Sequence, residues 1–328
     1  MSSLTRSLVG FWSFVYNQSI LPRTQDPATA PISHRCPTHS WSHRSRIAYT
    51  SAVTKRSPWD AAARARGHDS WVDAAAHWHT AMTDALLSAA NLRPDSVVLD
   101  LAAGTGEPAL TIAGRLPSGR VIALDSSRAS LALASERAHE HGFATRIECI
   151  QADAHSIPLV DHSVDRVTCR CGIMFFNDTG IVMSEALRVL KPGGRAAFLA
   201  WGRFEQPFFD ATVASVLRLV RGAKMPPQSR MMFRFASPGS LEIVLRTAGF
   251  RDVTEQALTV PRIWAGSPEE LWAYQQEVST LYHSLFESIP NHLRAKVDSE
   301  ISGLLSGFRS GNVLSVPTNI IVAAGQRS

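Results

Sequence analysis

Between residues 96 and 202, short apolar, β-branched runs alternate with stretches of helical period, and this alternation constrains the fold more than any other feature of the chain. The runs are SVVLDLA (96–102), VIALD (121–125), RIECIQAD (146–153), VDRVTCR (164–170) and RAAFLAWG (195–202). Helical patterns fall between them over 107–115, 127–141 and 178–190, the last followed by Lys191-Pro192-Gly193-Gly194. Strands that read as near-continuous apolar runs and are joined through helices predict βαβ units, with a parallel sheet covered on both faces. The predicted class is therefore α/β, with a doubly wound, mostly parallel sheet. Ligands of such sheets bind beyond the carboxyl ends of the strands, where the strand order switches. The loops after each strand are thus the expected seat of any chemistry.

The first of these loops reads Asp100-Leu101-Ala102-Ala103-Gly104-Thr105-Gly106-Glu107-Pro108-Ala109. Two glycines allow a sharp turn and a close approach to a ligand, and Pro108 suits the first turn of the following helix. Taken alone, Gly104-x-Gly106-x-x-Ala109 also fits the dinucleotide fingerprint, which leaves a nicotinamide cofactor open. Asp100 weighs against it, because a carboxylate four residues before the first glycine repels a pyrophosphate but not a cationic sulfonium ligand with an amino-acid tail. The second run ends at Asp125, nineteen residues after Gly106, where a carboxylate can accept both hydroxyls of a ribose. The third ends in Asp153-Ala154, where the acid or the adjacent backbone amide can read an adenine edge. Three acids at three successive strand ends point to a nucleoside ligand.

Charge narrows the partners. The formal net charge of +5 suggests nucleic acid or a membrane surface until its location is read. Residues 1–59 hold seven Lys or Arg and one acid, Asp26, which leaves 26 basic and 27 acidic residues in 60–328. A near-neutral body lacks the basic stripe that tracks phosphates, so no nucleic-acid partner is expected. No segment reaches the ~20 apolar residues that span a bilayer, so no integral membrane segment is expected either. Four cysteines are too few for a disulfide framework, and Cys169 and Cys171 stand too close for the usual metal-ligand spacing. Both read as reduced thiols at a buried strand end, and no metal is expected.

Residues 1–56 are rich in Ser, Arg, Thr and Pro and carry no sustained period, so they read as a disordered or targeting-like leader. The Arg and Ser bias resembles a mitochondrial transit segment; a disordered tail or a start codon placed too far upstream is the plainer reading. A cytoplasmic location is expected, with the mitochondrial matrix as the alternative if 1–56 act as a transit peptide. The first helix start is Ser57-Pro58-Trp59-Asp60, with a capping Ser, Pro at the first helical position and an acid three residues after the cap. The folded domain is expected from residue 57 to 328. Helical pattern continues to residue 90, with Trp71, Ala75, Trp78 and Met82 along one face.

With these motifs in place, the chain resembles the class I S-adenosylmethionine-dependent methyltransferases, in particular the group similar to the ubiquinone and menaquinone C-methyltransferases. The resemblance runs from about residue 57 to the C-terminus. It rests on VLDLAAGTGEPAL (98–110), IALD (122–125), QADAHSIPLVDHSVDRV (151–167) and LRVLKPGGRAAFLAW (187–201), in order and at the family's spacing. It implies a Rossmann-like methyltransferase fold: a seven-stranded sheet with an antiparallel last strand and a helical lid. RDVTEQALTV (251–260) and TNIIVAAGQ (318–326) are the candidates for the closing antiparallel pair. The implied organisation is N-terminal helices over 57–92, a cofactor-binding core over 93–202 and a C-terminal part over 203–328 with a lid insertion at about 262–312. S-adenosylmethionine is the implied cofactor. Its methionine part falls to Asp100, Gly104 and Gly106, its ribose to Asp125 and its adenine to Asp153 and Ala154; Ala102 and Ser126 are counted among the cofactor-binding residues, and Arg170 takes the family's position facing cofactor and substrate. Ala102-Ala103 departs from the Gly or Cys usual there. Arg170-Cys171-Gly172-Ile173-Met174-Phe175-Phe176 stands in place of the Asn-Pro-Pro-aromatic signature of enzymes that methylate exocyclic amines of nucleic-acid bases.

The implied partner is a small-molecule methyl acceptor. Trp264, Trp272, Tyr274, Tyr282, Leu285 and Phe286 in the lid suggest a hydrophobic or aromatic one, quinone-like or a secondary metabolite; these side chains are equally suited to packing the lid's own core. Methyl transfer mainly requires alignment of the acceptor and exclusion of water, so a general base is optional. His77 and His79 are the candidates for one, and Arg170 is a candidate for orienting an anionic oxygen. A nicotinamide oxidoreductase using the same glycine loop, or a non-catalytic cofactor-binding module, stay open as alternatives, as does the oligomeric state.

Overall fold

The aliphatic runs become central strands because both of their faces find apolar cover. The structure, a computed structural model, describes residues 72–75 and 77–328, all within the unit Thr50–Ser328. The leader 1–56, the helix start at Ser57-Pro58-Trp59-Asp60 and Trp71 lie outside the described residues. Strands β1 (Val97–Leu101), β2 (Arg120–Asp125), β3 (Ile147–Gln151), β4 (Val164–Arg170) and β5 (Leu190–Trp201) run parallel. Helices α1 (Val72–Ala75) and α2 (Thr80–Ala90) precede them, and α3 (Ala109–Arg115), α4 (Arg128–Glu140) and α5 (Thr179–Val189) lie between them in sequence. Alternate residues of β1 serve opposite layers. Val98 packs with Val121, Ile112, Ala113 and Ala138 on one side, whereas Leu99 and Leu101 join Met82, Leu86, Leu124 and Val182 on the other.

Local chemistry sets the helix starts. Ser127 caps α4 by accepting the Ser130 N–H at 3.1 Å, and Asp178 caps α5 by accepting the Ile181 N–H at 3.1 Å. Two expectations shift. Helix α3 begins at Ala109 with Pro108 as its N-cap, two residues later than the periodicity suggested. The strand expected from Arg195 starts earlier: Lys191 to Gly194 are absorbed into β5 as an irregularity, because Leu190 already pairs with Val164 before Arg195 pairs with Arg166.

After β5, helix α6 (Pro207–Phe209) passes through a π-helical turn (Asp210–Ala214) into α7 (Ser215–Leu219), and α8 (Ser240–Thr247) follows. The sheet closes with β6 (Arg251–Trp264) and β8 (Val313–Gln326), while the two-residue β7 (Arg309–Ser310) pairs with β8. The order is β3-β2-β1-β4-β5-β8-β6, with β8 antiparallel to both of its long neighbours. The helices of the expected insertion start later than residue 262. Residues 262–264 belong to β6, and α9 (Pro268–Val278), α10 (His283–Glu287) and α11 (Asn291–Ser306) follow it. The Ser267–Glu270 capping box fixes where α9 begins.

One register detail positions this segment. Pairing of β8 with β5 ends at Ile320 opposite Trp201, but pairing of β8 with β6 continues to Leu314 opposite Trp264. A two-stranded ribbon thus projects past the carboxyl end of β5, and it tolerates the facing pair Pro261 and Pro317 because no third strand needs their missing N–H groups. No helix among the described residues is long and apolar enough to cross a membrane.

At the opposite end of the sheet, Asp165 ties three elements together. Its carboxylate accepts the Val97 N–H at 2.9 Å, Lys191 Nζ at 3.0 Å and Arg93 Nη2 at 3.2 Å. Burial raises its pKa, but the hydrogen bonds from Val97 and Lys191 and the two cationic charges outweigh it, so the net direction is down. A depressed folded-state pKa gives stability that is present above the ordinary value and lost as pH falls below it. Asp165→Ala should cost about 2–3 kcal/mol near neutral pH, by leaving a strand amide and a lysine without their acceptor. Urea unfolding of wild type and variant checks this, and the gap should narrow on acidification. A neutral-pH difference below about 0.5 kcal/mol would remove Asp165 as a clamp.

Candidate active site

The sheet order reverses at β1, which pairs with β2 on one side and β4 on the other. Loops leaving β1 and β4 therefore diverge, and a cavity of about 850 Å³ opens among them. That size falls within the roughly 300–1,000 Å³ of small-molecule sites. Ala102, Gly104, Asp125, Ser126, Asp153, Ala154, Arg170 and His79 all line it.

The glycine loop owes its shape to left-handed backbone. Ala102 has φ +54°, Gly104 φ +57° and Gly106 φ +109°. A Cβ on Gly104 would meet nothing within 4 Å, so its backbone lies open for a ligand, and its N–H donates to Asp125 Oδ2 at 2.8 Å. Asp125 Oδ1 accepts the Ser127 N–H at 2.8 Å. Two backbone donors thus fix a carboxylate whose oxygens can each accept a second hydrogen bond, the chemistry that a vicinal diol requires.

Asp153 is set by a different network. Its Oδ1 accepts the His155 N–H at 2.9 Å and lies 2.6 Å from His155 Nδ1, while His155 Nε2 lies 3.2 Å from the Asp178 amide nitrogen. Because a backbone N–H can only donate, Nε2 is the acceptor and the ring proton sits on Nδ1, pointing to Asp153. Burial raises the Asp153 pKa, but the backbone and ring hydrogen bonds from His155 outweigh it and hold it below the usual carboxylate value.

Arg170 donates to Thr83 Oγ1 at 2.6 Å and to the Glu107 carbonyl at 3.1 Å, which anchors it between α2 and the glycine loop. Cys171 lines the cavity, and burial pushes its thiol up to about 11; burial raises Cys169 further. Both are thiols rather than thiolates at neutral pH.

Three of the expected residues stand off the cavity wall. His77 is exposed and Gly106 is turned into the packing, where a Cβ would come within 3.1 Å of Leu110 and 3.3 Å of Ala134. Asp100 is fully buried. Its register partner is Thr168, whose hydroxyl donates to Oδ1 at 2.8 Å, while Oδ2 is buried without a hydrogen-bond partner. Desolvation dominates there. It raises the Asp100 pKa to about 7 against the lowering effects of Thr168 and Arg170.

A second chamber of about 190 Å³ adjoins the cavity and shares His79, Trp201, Met232 and Tyr274 with it. Trp78, Phe208, Phe209, Tyr282 and Arg262 complete most of its wall. These rings meet edge to face: Trp78 with Phe208 at 5.4 Å and Trp201 with Phe209 at 5.4 Å between centroids. Arg262 was not singled out in the sequence. Its signal was there, since Val260, Arg262 and Trp264 share one face of a strand and a charge interrupts an otherwise apolar row.

Comparison with known proteins decides the family. Residues 98–194 match a family described as "Methyltransferase domain". The ubiquinone/menaquinone biosynthesis C-methyltransferase of Sinorhizobium fredii is 32% identical over 191 residues, covering 54% of this chain and 73% of the relative. The chain belongs to the class I S-adenosylmethionine-dependent methyltransferases. The demethylmenaquinone methyltransferase of Thermus thermophilus is 31% identical over 185 residues, covering 53% of this methyltransferase and 80% of that one. Among solved structures, phosphoethanolamine N-methyltransferase 2 of Haemonchus contortus aligns with a TM-score of 0.53 at 18% identity, covering 85% of this chain and 61% of that one. Such a likeness speaks for the fold alone. Family membership sets aside the nicotinamide reading of the glycine loop and makes S-adenosylmethionine the methyl donor. The residues fit that group: an open glycine backbone, a carboxylate held by two backbone donors at a strand end and a cavity of suitable volume occur together.

Proposed function

We propose that this methyltransferase acts on a small hydrophobic acceptor with an aromatic ring, quinone-like or a secondary metabolite, seated in the chamber beside the cofactor cavity. The observation that carries this reading is the chamber wall, where Trp78, Trp201, Phe208, Phe209, Tyr274 and Tyr282 converge. The relatives named for ubiquinone and menaquinone biosynthesis support a quinone-like ring. The cofactor supplies a methyl carbon already activated by a positive sulfur. What remains for the chain is to hold, align and keep dry. In our assignment Ala102 and Gly104 take the methionine end, Asp125 and Ser126 the ribose, and Asp153 and Ala154 the adenine. Arg170 stands where cofactor and acceptor meet.

His79 is the candidate base on the shared wall. Its Nε2 lies 3.2 Å from Arg262 Nη2, a group that only donates, so Nε2 accepts and the ring proton is on Nδ1. An imidazolium formed there would face a guanidinium, which favours a role for His79 in positioning over one in proton removal.

Transfer of labelled methyl groups to a panel of hydroquinones, phenols and aliphatic amines tests the reading. Label should appear in the ring-bearing acceptors, and Phe208→Ala should raise their KM about 10-fold by removing one aromatic wall while the KM for the donor holds. Label confined to aliphatic amines would overturn it.

A further inference from the structure

Arg262 is a buried cation with no anion beside it among the described residues. It is 4% exposed on β6, and among the described residues no carboxylate forms a salt bridge with it. None of the residues lining its chamber is Asp or Glu. Its Cζ lies 3.7 Å from the ring centroid of Trp78, 5.0 Å from that of Phe208 and 5.2 Å from that of Trp201. Stacking of this kind steadies a guanidinium but leaves its in-plane donors unused. Of five N–H groups, one points to the Trp78 carbonyl at 3.4 Å and one to His79 at 3.2 Å. The indole Nε1–H of Trp78, on the same wall, is likewise buried without an acceptor.

An uncompensated charge at this depth carries a large desolvation cost. Burial pulls the guanidinium down to about 9, yet it stays cationic at neutral pH. Arg170 on the adjoining cavity adds positive potential and no negative charge. Buried donors left without an acceptor on an aromatic wall are complementary to an anionic oxygen attached to a ring. A chamber of about 190 Å³ also sets a size, since an apolar cavity of about 150 Å³ holds benzene.

We infer that the chamber is an anion subsite: Arg262, with the Trp78 indole N–H, receives an anionic oxygen, carboxylate or ionised hydroxyl, carried by one substituted aromatic ring of the acceptor. This rests on the methyltransferase reading of the adjoining cavity and adds the charge of the acceptor to it. An acceptor whose hydroxyl is held here in ionised form has already lost that proton and needs no base for it, in keeping with a His79 that is occupied by Arg262.

The test uses the full chain saturated with S-adenosylhomocysteine, with benzoate, 4-nitrophenolate and neutral benzamide as probes in calorimetric or ligand-observed NMR titrations. At least one anion should bind about 10-fold or more tightly than benzamide, and the tighter of the two identifies carboxylate or ionised hydroxyl as the group recognised. Arg262→Met should lose that preference, Arg262→Lys should keep part of it, and neither should alter affinity for S-adenosylhomocysteine. Should Arg262→Met fail to fold, the comparison of anions with benzamide on wild type and Arg262→Lys still decides. Equal affinity for anion and amide, absence of anion binding up to millimolar concentration, or an unchanged preference in Arg262→Met would overturn the subsite. Failure of S-adenosylhomocysteine itself to bind would instead strike the cofactor cavity, and the same probes on the unloaded chain would then judge Arg262 separately.

Discussion

Replacing Asp125 with Ala should weaken binding of S-adenosylhomocysteine by about 100-fold or more. A ribose diol on a carboxylate makes two charge-assisted hydrogen bonds, each worth roughly 1.5–3 kcal/mol, and the substitution removes both acceptors. It also frees the Gly104 and Ser127 amides, which Asp125 holds at 2.8 Å each, so the glycine loop loses its tether to β2. Asp125→Asn separates the two effects. A single amide oxygen can keep one backbone tether while the charge is gone, and an intermediate loss of about 10-fold is expected. Isothermal titration calorimetry on the full chain, beside thermal unfolding of each variant, makes the measurement. A dissociation constant for Asp125→Ala within about 3-fold of wild type would remove Asp125 from the ribose site.

The second large effect concerns Asp100 and appears in stability rather than affinity. Burial raises its pKa from 3.8 to about 7 in the folded chain. Between those values the folded state keeps a proton that the unfolded state has released, so stability is full at the acid end of the window and declines as pH rises through it. The whole displacement corresponds to about 4 kcal/mol. Asp100→Asn has no such titration. Urea unfolding at about pH 5 and about pH 8 should therefore show wild type losing a few kcal/mol relative to the variant across that interval. Parallel pH profiles would show that Asp100 ionises in the fold as easily as it does in water. A carboxylate this costly, buried beneath the glycine loop that lines the cavity, is a stability sacrifice of the kind that functional sites retain.

The residues that could be read from the sequence share one property. Ala102, Gly104, Asp125, Asp153 and Arg170 sit at or just after strand ends, where strand pattern and loop position follow from local periodicity. Asp100 and Gly106 belong to the same motif, yet one is beneath the surface and the other is in the packing. Spacing along the chain cannot distinguish a side chain that reaches a ligand from one that supports the loop. His77 and His79 show the same limit. They are two residues apart at the entry to one helix, and only His79 lines the cavity.

Contiguous patterns of burial and turn chemistry along the chain carry the parallel α/β sheet, the acids at three strand ends and the methyltransferase family. The aromatic chamber beside the cavity, by contrast, exists only through packing between distant elements. Trp78, Trp201, Phe208 and Arg262 come from four separate segments, and they meet because β6 and β8 continue as a ribbon past the end of β5. That meeting depends on register and on burial between elements distant in sequence, and neither leaves a local mark on the chain.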